Sequence, residues 1–342
     1  MSIGFKKEIE LSKLLDPRNN FIEKSFPIEF RYDPLTKDMG IILEFRRMQR
    51  EKKDLSAVIA KSLQAGCPFC PESIEKATPK FIPDFCPEGR IRAGEAIVFP
   101  NAMPYMPHSA ITVISSKHFV GLSEFTEDML ANAFLASQTY LRRVQEYDAS
   151  AKYWLLNWNY MPPAASSQIH PHLQVLAGPL PLVYHRVLLD ASRKYRSANG
   201  TGFWSDFIAK EKELGERYIA TIGNTVWLTS FVPRGGQLDI QAIFQERESF
   251  LSLLQEDMES FCHGLTKVFK YMDDQNFYSF DLCLYSGVVG EDSLWTQVRI
   301  IERGLVPPVD ASDASNIRLL VDTKTSIRHP EAVCQKLKPY FE

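Results

Sequence analysis

Hydrophobic and polar positions alternate in short runs along this chain and recur at helical spacing in two long ones. Residues 26–45, FPIEFRYDPLTKDMGIILEF, read as two strands around a Pro-containing turn. EAIVFPNAMPYMPHSAITVISSKHF gives strand, loop, strand, and KYWLLNWNY and IHPHLQVLAG give two more strands. Between them TEDMLANAFLASQTYLRRVQEY has the spacing of an amphipathic helix, with Thr126 as its N-cap. RRMQREKKD reads as a solvated helix face, and Cys67 to Gly94, rich in proline and cysteine, as a loop that needs a staple to be ordered.

The second half repeats this rhythm. NTVWLTSFVP and QLDIQAIF are predicted strands, ESFLSLLQEDMESFCHGLTKVFKYM a long helix, and YSFDLCLYSG and LWTQVRIIER a closing pair of strands. Strand, strand, helix, strand, strand thus occurs twice, which predicts two related halves of an antiparallel α+β design. We divide them as residues 1–195 and 196–342, the charged stretch from Ser192 to Glu216 forming the join.

Composition narrows the function classes. A formal charge of −3 over 342 residues gives no bulk reason to expect nucleic acid or an anionic membrane as partner. No apolar run approaches the roughly 20 residues of a spanning helix. The N-terminal stretch lacks the apolar core of a signal peptide, so the expected location is cytoplasmic. Six cysteines do not form a disulfide framework at this size, and a close pair in a reducing compartment points to metal or catalysis.

That close pair is Cys67 and Cys70, in AGCPFCPES. Two thiolates at C-x-x-C spacing can hold one tetrahedral ion, and zinc wants two further N or S ligands. A redox pair or two unrelated core thiols are the alternatives. His118, at the end of AITVISSKH, and His170 are candidate partners, with Cys86 and His108 competing.

The stretch SSQIHPHLQV, residues 166–175, carries the other chemistry. In an extended segment His170, His172 and Gln174 share one face, with Leu173 and Val175 on the other. With His170 held as a ligand, His172 points from a rigid base toward the same cleft. A neutral imidazole there is a nucleophile near pH 7, able to form a nucleotidyl-histidine. Gln174 can donate to a phosphate oxygen as charge builds, and Ser166 and Ser167 place hydroxyls beside it. The alternative is a structural histidine satisfied by its surroundings.

These motifs together resemble the galactose-1-phosphate uridylyltransferases of the histidine-triad superfamily. RYDPLTKDMGIIL resembles their N-terminal segment, CPFC their zinc knuckle and IVFPNAMPYMP their nucleotide-pocket strand and loop. ISSKH followed by LSEFT, then LLNWNYMPPAASSQIHPHLQV, resemble the later segments, the last being the active-site signature. The resemblance covers Arg31 to about Val175 well and the remainder weakly. It implies two histidine-triad-like halves, an antiparallel half-barrel sheet with flanking helices, and a homodimer. It implies Cys67, Cys70, His118 and His170 as ligands of one structural zinc, His172 as nucleophile and Gln174 as its supporting glutamine. Arg31, Asn101, Asn159 and Ser167 fall at substrate-contacting positions, with Ser166 beside them.

Departures matter as much. Asn101-Ala102 stands where the resemblance leads one to expect a carboxylate near the ribose, and Gln168 replaces an asparagine. Val298 and Ile300 stand where metal-binding histidines of the second half are expected, so a second metal is predicted absent. The hexose-binding segment has no clear counterpart near IRLLVDTKTSIRHPEAV. The expected function is nucleotidyl transfer from a nucleoside diphosphate-sugar or related dinucleotide. The acceptor is a sugar 1-phosphate, with inorganic phosphate or water as the phosphorylase and hydrolase alternatives. A nucleotide-binding protein without turnover is the alternative of a different class.

Overall fold

The computed structural model describes residues 3–46, 51–306 and 308–342, with the side chain of residue 46 outside the description. Residues 47–50 of RRMQREKKD therefore lie outside the described residues, and 51–54 are exposed chain without the helix expected there. The strands are β1 (Lys7–Asp16), β2 (Ile22–Tyr32), β3 (Met39–Ile42), β4 (Ile91–Ala93), β5 (Ala96–Pro100), β6 (His108–Val113), β7 (Tyr153–Tyr160) and β8 (His172–Gly178). The second half supplies β9 (Tyr218–Ile222), β10 (Thr225–Thr229), β11 (Asp239–Phe244), β12 (Phe280–Tyr285) and β13 (Gln297–Glu302). Short strands β14 (Leu305–Val306), β15 (Ala311–Ser312) and β16 (Lys324–Ser326) follow. The helices are α1 (Ser56–Gln64), α2 (Pro71–Ala77), α3 (Glu127–Tyr147), α4 (Val183–Asn199), α5 (Phe203–Leu214), α6 (Gln255–Asp274), α7 (Asn316–Leu319) and α8 (Pro330–Leu337).

Ten strands form one antiparallel sheet in the order β4-β5-β6-β8-β7-β12-β13-β11-β10-β9. Read inward from either edge, the order is the same: three strands in sequence, then the last strand of the half, then the one before it. The helix between the third and fourth strands is α3 in one half and α6 in the other. The two halves meet where β7 pairs with β12, with Asn159 opposite Asp281 and Asn157 opposite Cys283. The architecture is α+β, an open half-barrel sheet with flanking helices.

Alternation sets which face is dry. Leu156, Trp158, Leu173, Val175, Leu282, Val298 and Ile300 belong to one core, which α3 and α6 complete with Leu130, Phe134, Phe261 and Leu265. Thr126 caps α3 as its side chain accepts from the Met129 N–H at 3.3 Å. Gly264 sits mid-helix in α6 because an added Cβ would come within 2.5 Å of the Trp227 ring, which stacks on Phe261.

Two segments differ from expectation. Cys67 to Gly94 contains α2, because Pro71 occupies its first turn behind Cys70 and suits a helix start. The charged stretch 192–216 is mostly helix, the end of α4 and all of α5, and it buries Phe203, Trp204, Phe207 and Ile208 over the second half of the sheet. Most of its charges lie on the outer side, Glu211 being the exception, buried against Arg217, and the two helices run between β8 of the first half and β9 of the second. Among the described residues no helix is long and apolar enough to cross a membrane.

Candidate active site and metal centre

Cys67 and Cys70 lie on the turn before α2, His118 follows β6, and His170 lies two residues before the first residue of β8. One potential ligand atom from each of the four lies within 4.8 Å of all the others. Cys70 Sγ is 3.3 Å from His118 Nδ1 and 3.6 Å from His170 Nδ1, and Cys67 Sγ is 3.7 Å from His170 Nδ1. The far nitrogens have their own partners. His170 Nε2 donates to the Ser115 carbonyl at 2.7 Å, and His118 Nε2 lies 2.6 Å from Ser62 Oγ. Each ring thereby turns Nδ1 to the centre, the outer-sphere arrangement that orients metal ligands. Burial lowers His170 to about 4, and burial beside Cys67 raises the Cys70 thiol to about 12. Both residues thus stay uncharged on their own, and the four-atom S2N2 cluster could hold a metal ion. The competing residues are elsewhere: Cys86 faces Glu88, and His108 pairs with Asp148 at 2.8 Å.

From His170 the chain enters β8, whose polar face carries His172, buried at 8% exposure, and the half-buried Gln174. His172 Nδ1 donates to the His170 carbonyl at 2.9 Å, leaving Nε2 without a hydrogen bond among the described residues. The Phe69 ring, between the two cysteines, packs edge-on against His172 with centroids 5.1 Å apart. Gln174 Oε1 accepts from Asn157 Nδ2 at 3.4 Å, so its own amide donors remain directed elsewhere. Asn157 and Asn159 on β7, then Asp281 and Cys283 on β12, continue this polar face across the junction between the halves.

The other expected residues are spread more widely. Asn159 Nδ2 donates to the Ala164 carbonyl at 2.8 Å, and Ser166 Oγ to the Gln168 carbonyl at 2.7 Å. Both therefore shape the loop that leads into His170, and Ser167 is exposed on it. Asn101 caps the turn after β5, its Oδ1 accepting from the Met103 N–H at 2.9 Å. It pairs near Ser109, which faces Leu176, so it sits about four residues or roughly 13 Å along the strand direction from His172.

Arg31 is in a different place. It lies on β2 with its guanidinium bonded to Glu331 (2.8 and 3.0 Å), Glu29 and the Phe231 carbonyl. Phe231 follows β10, five strand positions from β8, or roughly 24 Å across the sheet. One chain does not bring Arg31 to His172. In β13, Val298 and Ile300 share a face, as alternation requires, and it is the dry one, where both are fully buried. The opposite face carries Gln297 and Arg299.

Sequence reasoning passed over Ser62, Ser115, Phe69 and Asn157. Asn157 was within reach, since NWNY alternates and sets it beside Asn159. Phe69 stood inside the C-x-x-C. Nothing local marks Ser62 or a backbone carbonyl as a partner of a distant histidine.

No family model matches the chain. An uncharacterised protein of Archaeoglobus fulgidus is 31% identical over 301 residues, 87% of each chain. An ADP-glucose phosphorylase from Arabidopsis thaliana, solved with bound ADP-glucose, superposes with a TM-score of 0.71 at 15% identity, over 91% of this chain and 98% of that one. A GalT-like protein from the same plant gives 0.70 at 16%, with the same coverage. The fold is thus the one shared by the GalT-like protein and the ADP-glucose phosphorylase. The chain belongs to one family with the Archaeoglobus protein.

Proposed function

We propose that the protein is a nucleotidyltransferase that acts on a nucleoside diphosphate-sugar through a covalent nucleotidyl-His172. The observation that carries this is the His172 tautomer. Its Nδ1 proton is committed to the His170 carbonyl, so the Nε2 lone pair stands on the polar face beside Gln174. Nε2 attacks the α-phosphorus, an N–P bond forms, and the P–O bond to the sugar phosphate breaks. The sugar phosphate leaves as an anion and needs no proton. In the second step a phosphate oxygen of the acceptor attacks and the N–P bond breaks. Gln174 donates to the non-bridging oxygens in both steps. Ser166, Ser167 and Asn159 shape the phosphate loop, and Asn101 borders the nucleoside.

The metal in this reading is a single structural zinc at Cys67, Cys70, His118 and His170. Bonds of about 2.3 Å to sulfur and about 2.0 Å to nitrogen at tetrahedral angles put S and N roughly 3.5 Å apart. The observed separations of 3.3, 3.6 and 3.7 Å fit that requirement. The ion holds the knuckle against the start of β8, and no reaction step runs through it.

A sugar 1-phosphate is the leading acceptor, and inorganic phosphate is the other to test, because the fold is shared with an ADP-glucose phosphorylase. The hairpin of β1 and β2 exposes Ile9, Leu11, Leu15, Phe21 and Ile22, which supports a homodimer built on this arm. Incubation with nucleoside diphosphate-sugars labelled in the α-phosphate tests the central step. Acid-labile, base-stable label on the denatured protein is expected, and a sugar 1-phosphate or phosphate should discharge it. A protein that binds nucleotide and takes no label would instead be the non-catalytic member of the fold.

A further inference from the structure

The second half of the sheet carries a cation with no ion-pair partner among the described residues, although its charge reaches the exposed Asp322 carboxylate. Arg234, in the turn between β10 and β11, is half-buried with its guanidinium 3.6 Å from the centroid of the Tyr184 ring. Among the described residues that guanidinium makes no hydrogen bond and no ion pair. The nearby carboxylates are already occupied. Asp239 takes Arg299 Nε at 2.9 and 3.0 Å, Ser230 Oγ at 2.7 Å and the backbone N–H of Arg234 itself. Asp322, exposed, pairs with Lys324 at 2.7 Å.

Its platform is rigid. The Tyr184 hydroxyl accepts from Arg299 Nη1 at 3.2 Å, and the ring meets Tyr285 edge-on at 5.5 Å. Arg299 is held in turn by Asp239 and, through Nη2, by the Val232 carbonyl at 2.9 Å. A guanidinium lying flat on a fixed ring projects its in-plane N–H donors sideways, a fork matched to carboxylate or phosphate. Through Tyr184, whose ring meets Tyr285 of β12, Arg234 is tied to the strand that joins the two halves. Cys283 lies opposite Asn157, the residue bonded to Gln174. Gln174 and Cys283 are two strand positions apart, about 10 Å.

We propose that Arg234, stacked on Tyr184, is an anion subsite that takes a phosphate or carboxylate group of the substrate. The placement rests on the nucleotidyl-transfer reading: Arg234, between β10 and β11, lies toward the second half of the sheet from Gln174, on the side away from Asn101. The preferred donor or acceptor then carries an anionic group additional to the phosphate that reacts.

The subsite is tested without turnover. Isothermal titration calorimetry of the full chain with inorganic phosphate and, separately, glucuronate, at constant ionic strength, should show saturable binding of at least one. Phosphate alone assigns a phosphorylated group, and glucuronate alone a carboxylate. Arg234→Gln should weaken that binding roughly tenfold or more, the effect of losing a charge-assisted fork, while His172→Gly should not. In the wild-type protein the same anion should slow modification of Arg234 by phenylglyoxal, read by peptide mass mapping, so the answer does not depend on the variant folding. No saturable binding in the wild type, equal binding by Arg234→Gln, or equal modification with and without anion overturns the proposal. Absence of covalent label with binding intact would instead count against nucleotidyl transfer.

Discussion

The carbonyl oxygen of His170 accepts the Nδ1 proton of His172 at 2.9 Å, so the residue that closes the metal cluster also fixes the tautomer of the residue expected to react. The two histidines then have separable failures. His172→Gly should abolish covalent labelling and leave metal content and unfolding temperature near wild type. His170→Ala should lose metal and stability first, with activity following. Full-rate labelling of His172→Gly, read by scintillation of the denatured protein, would place the nucleophile elsewhere.

The metal cluster predicts a linked loss. Cys67→Ser removes one of the four candidate ligands, which bring the knuckle together with the segments after β6 and before β8. Zinc per chain should fall from one toward zero, and the unfolding midpoint should drop with it, because site formation and local folding are coupled. Elemental analysis and thermal unfolding of the same sample check this. Unchanged metal content would remove Cys67 from the set. Two ions per chain in the wild type would contradict the expected single site.

Gln174 and Asn157 should be distinguishable by kinetics. Gln174→Ala deletes a donor to the developing phosphoryl charge and should slow transfer by about 10²–10³-fold. Asn157→Ala removes only the group that orients Gln174, through a 3.4 Å bond, and should cost less. Single-turnover labelling rates order the two. An Asn157 effect equal to or larger than that of Gln174 would mean the asparagine meets the substrate itself.

Much of this could be read from the chain because it depends on local periodicity. Alternation alone placed Val298 and Ile300 on a common face and Leu173 with Val175 in the core. The repeated strand and helix rhythm foretold the two halves that meet at β7 and β12. Long-range geometry was not legible. The Ser115 carbonyl behind His170, and Ser62 behind His118, are set by tertiary approach of segments 55 and 56 residues apart. Arg31 was harder still, since a motif match carries no information about which carboxylates fold against it.

Those carboxylates lead to the last prediction. Glu331 bridges Arg31 and Arg217, whose side chains are 2% and 1% exposed, with contacts of 2.8 Å to each. Phe231 packs against both guanidinium groups, and Phe5 against that of Arg217. Glu331→Gln removes the counter-charge shared by two buried cations, which keep Glu29 and Glu211 as partners, and should cost about 1–3 kcal/mol in denaturant unfolding. Although burial opposes it, the pairing with Arg31 and Arg217 holds the Glu331 carboxylate down at about 2, below its ordinary 4.5. A depressed acid stabilises the fold fully above its unfolded value, and that stability fades as pH falls through the folded value. Wild-type stability attributable to Glu331 should therefore disappear between about pH 4.5 and 2, amounting to about 3 kcal/mol. The glutamine variant should lack that component, so the two unfolding curves converge at the acid end. Parallel curves across this window would show that Glu331 carries no excess proton affinity difference and that the cluster is held by its other acids, Glu29 and Glu211.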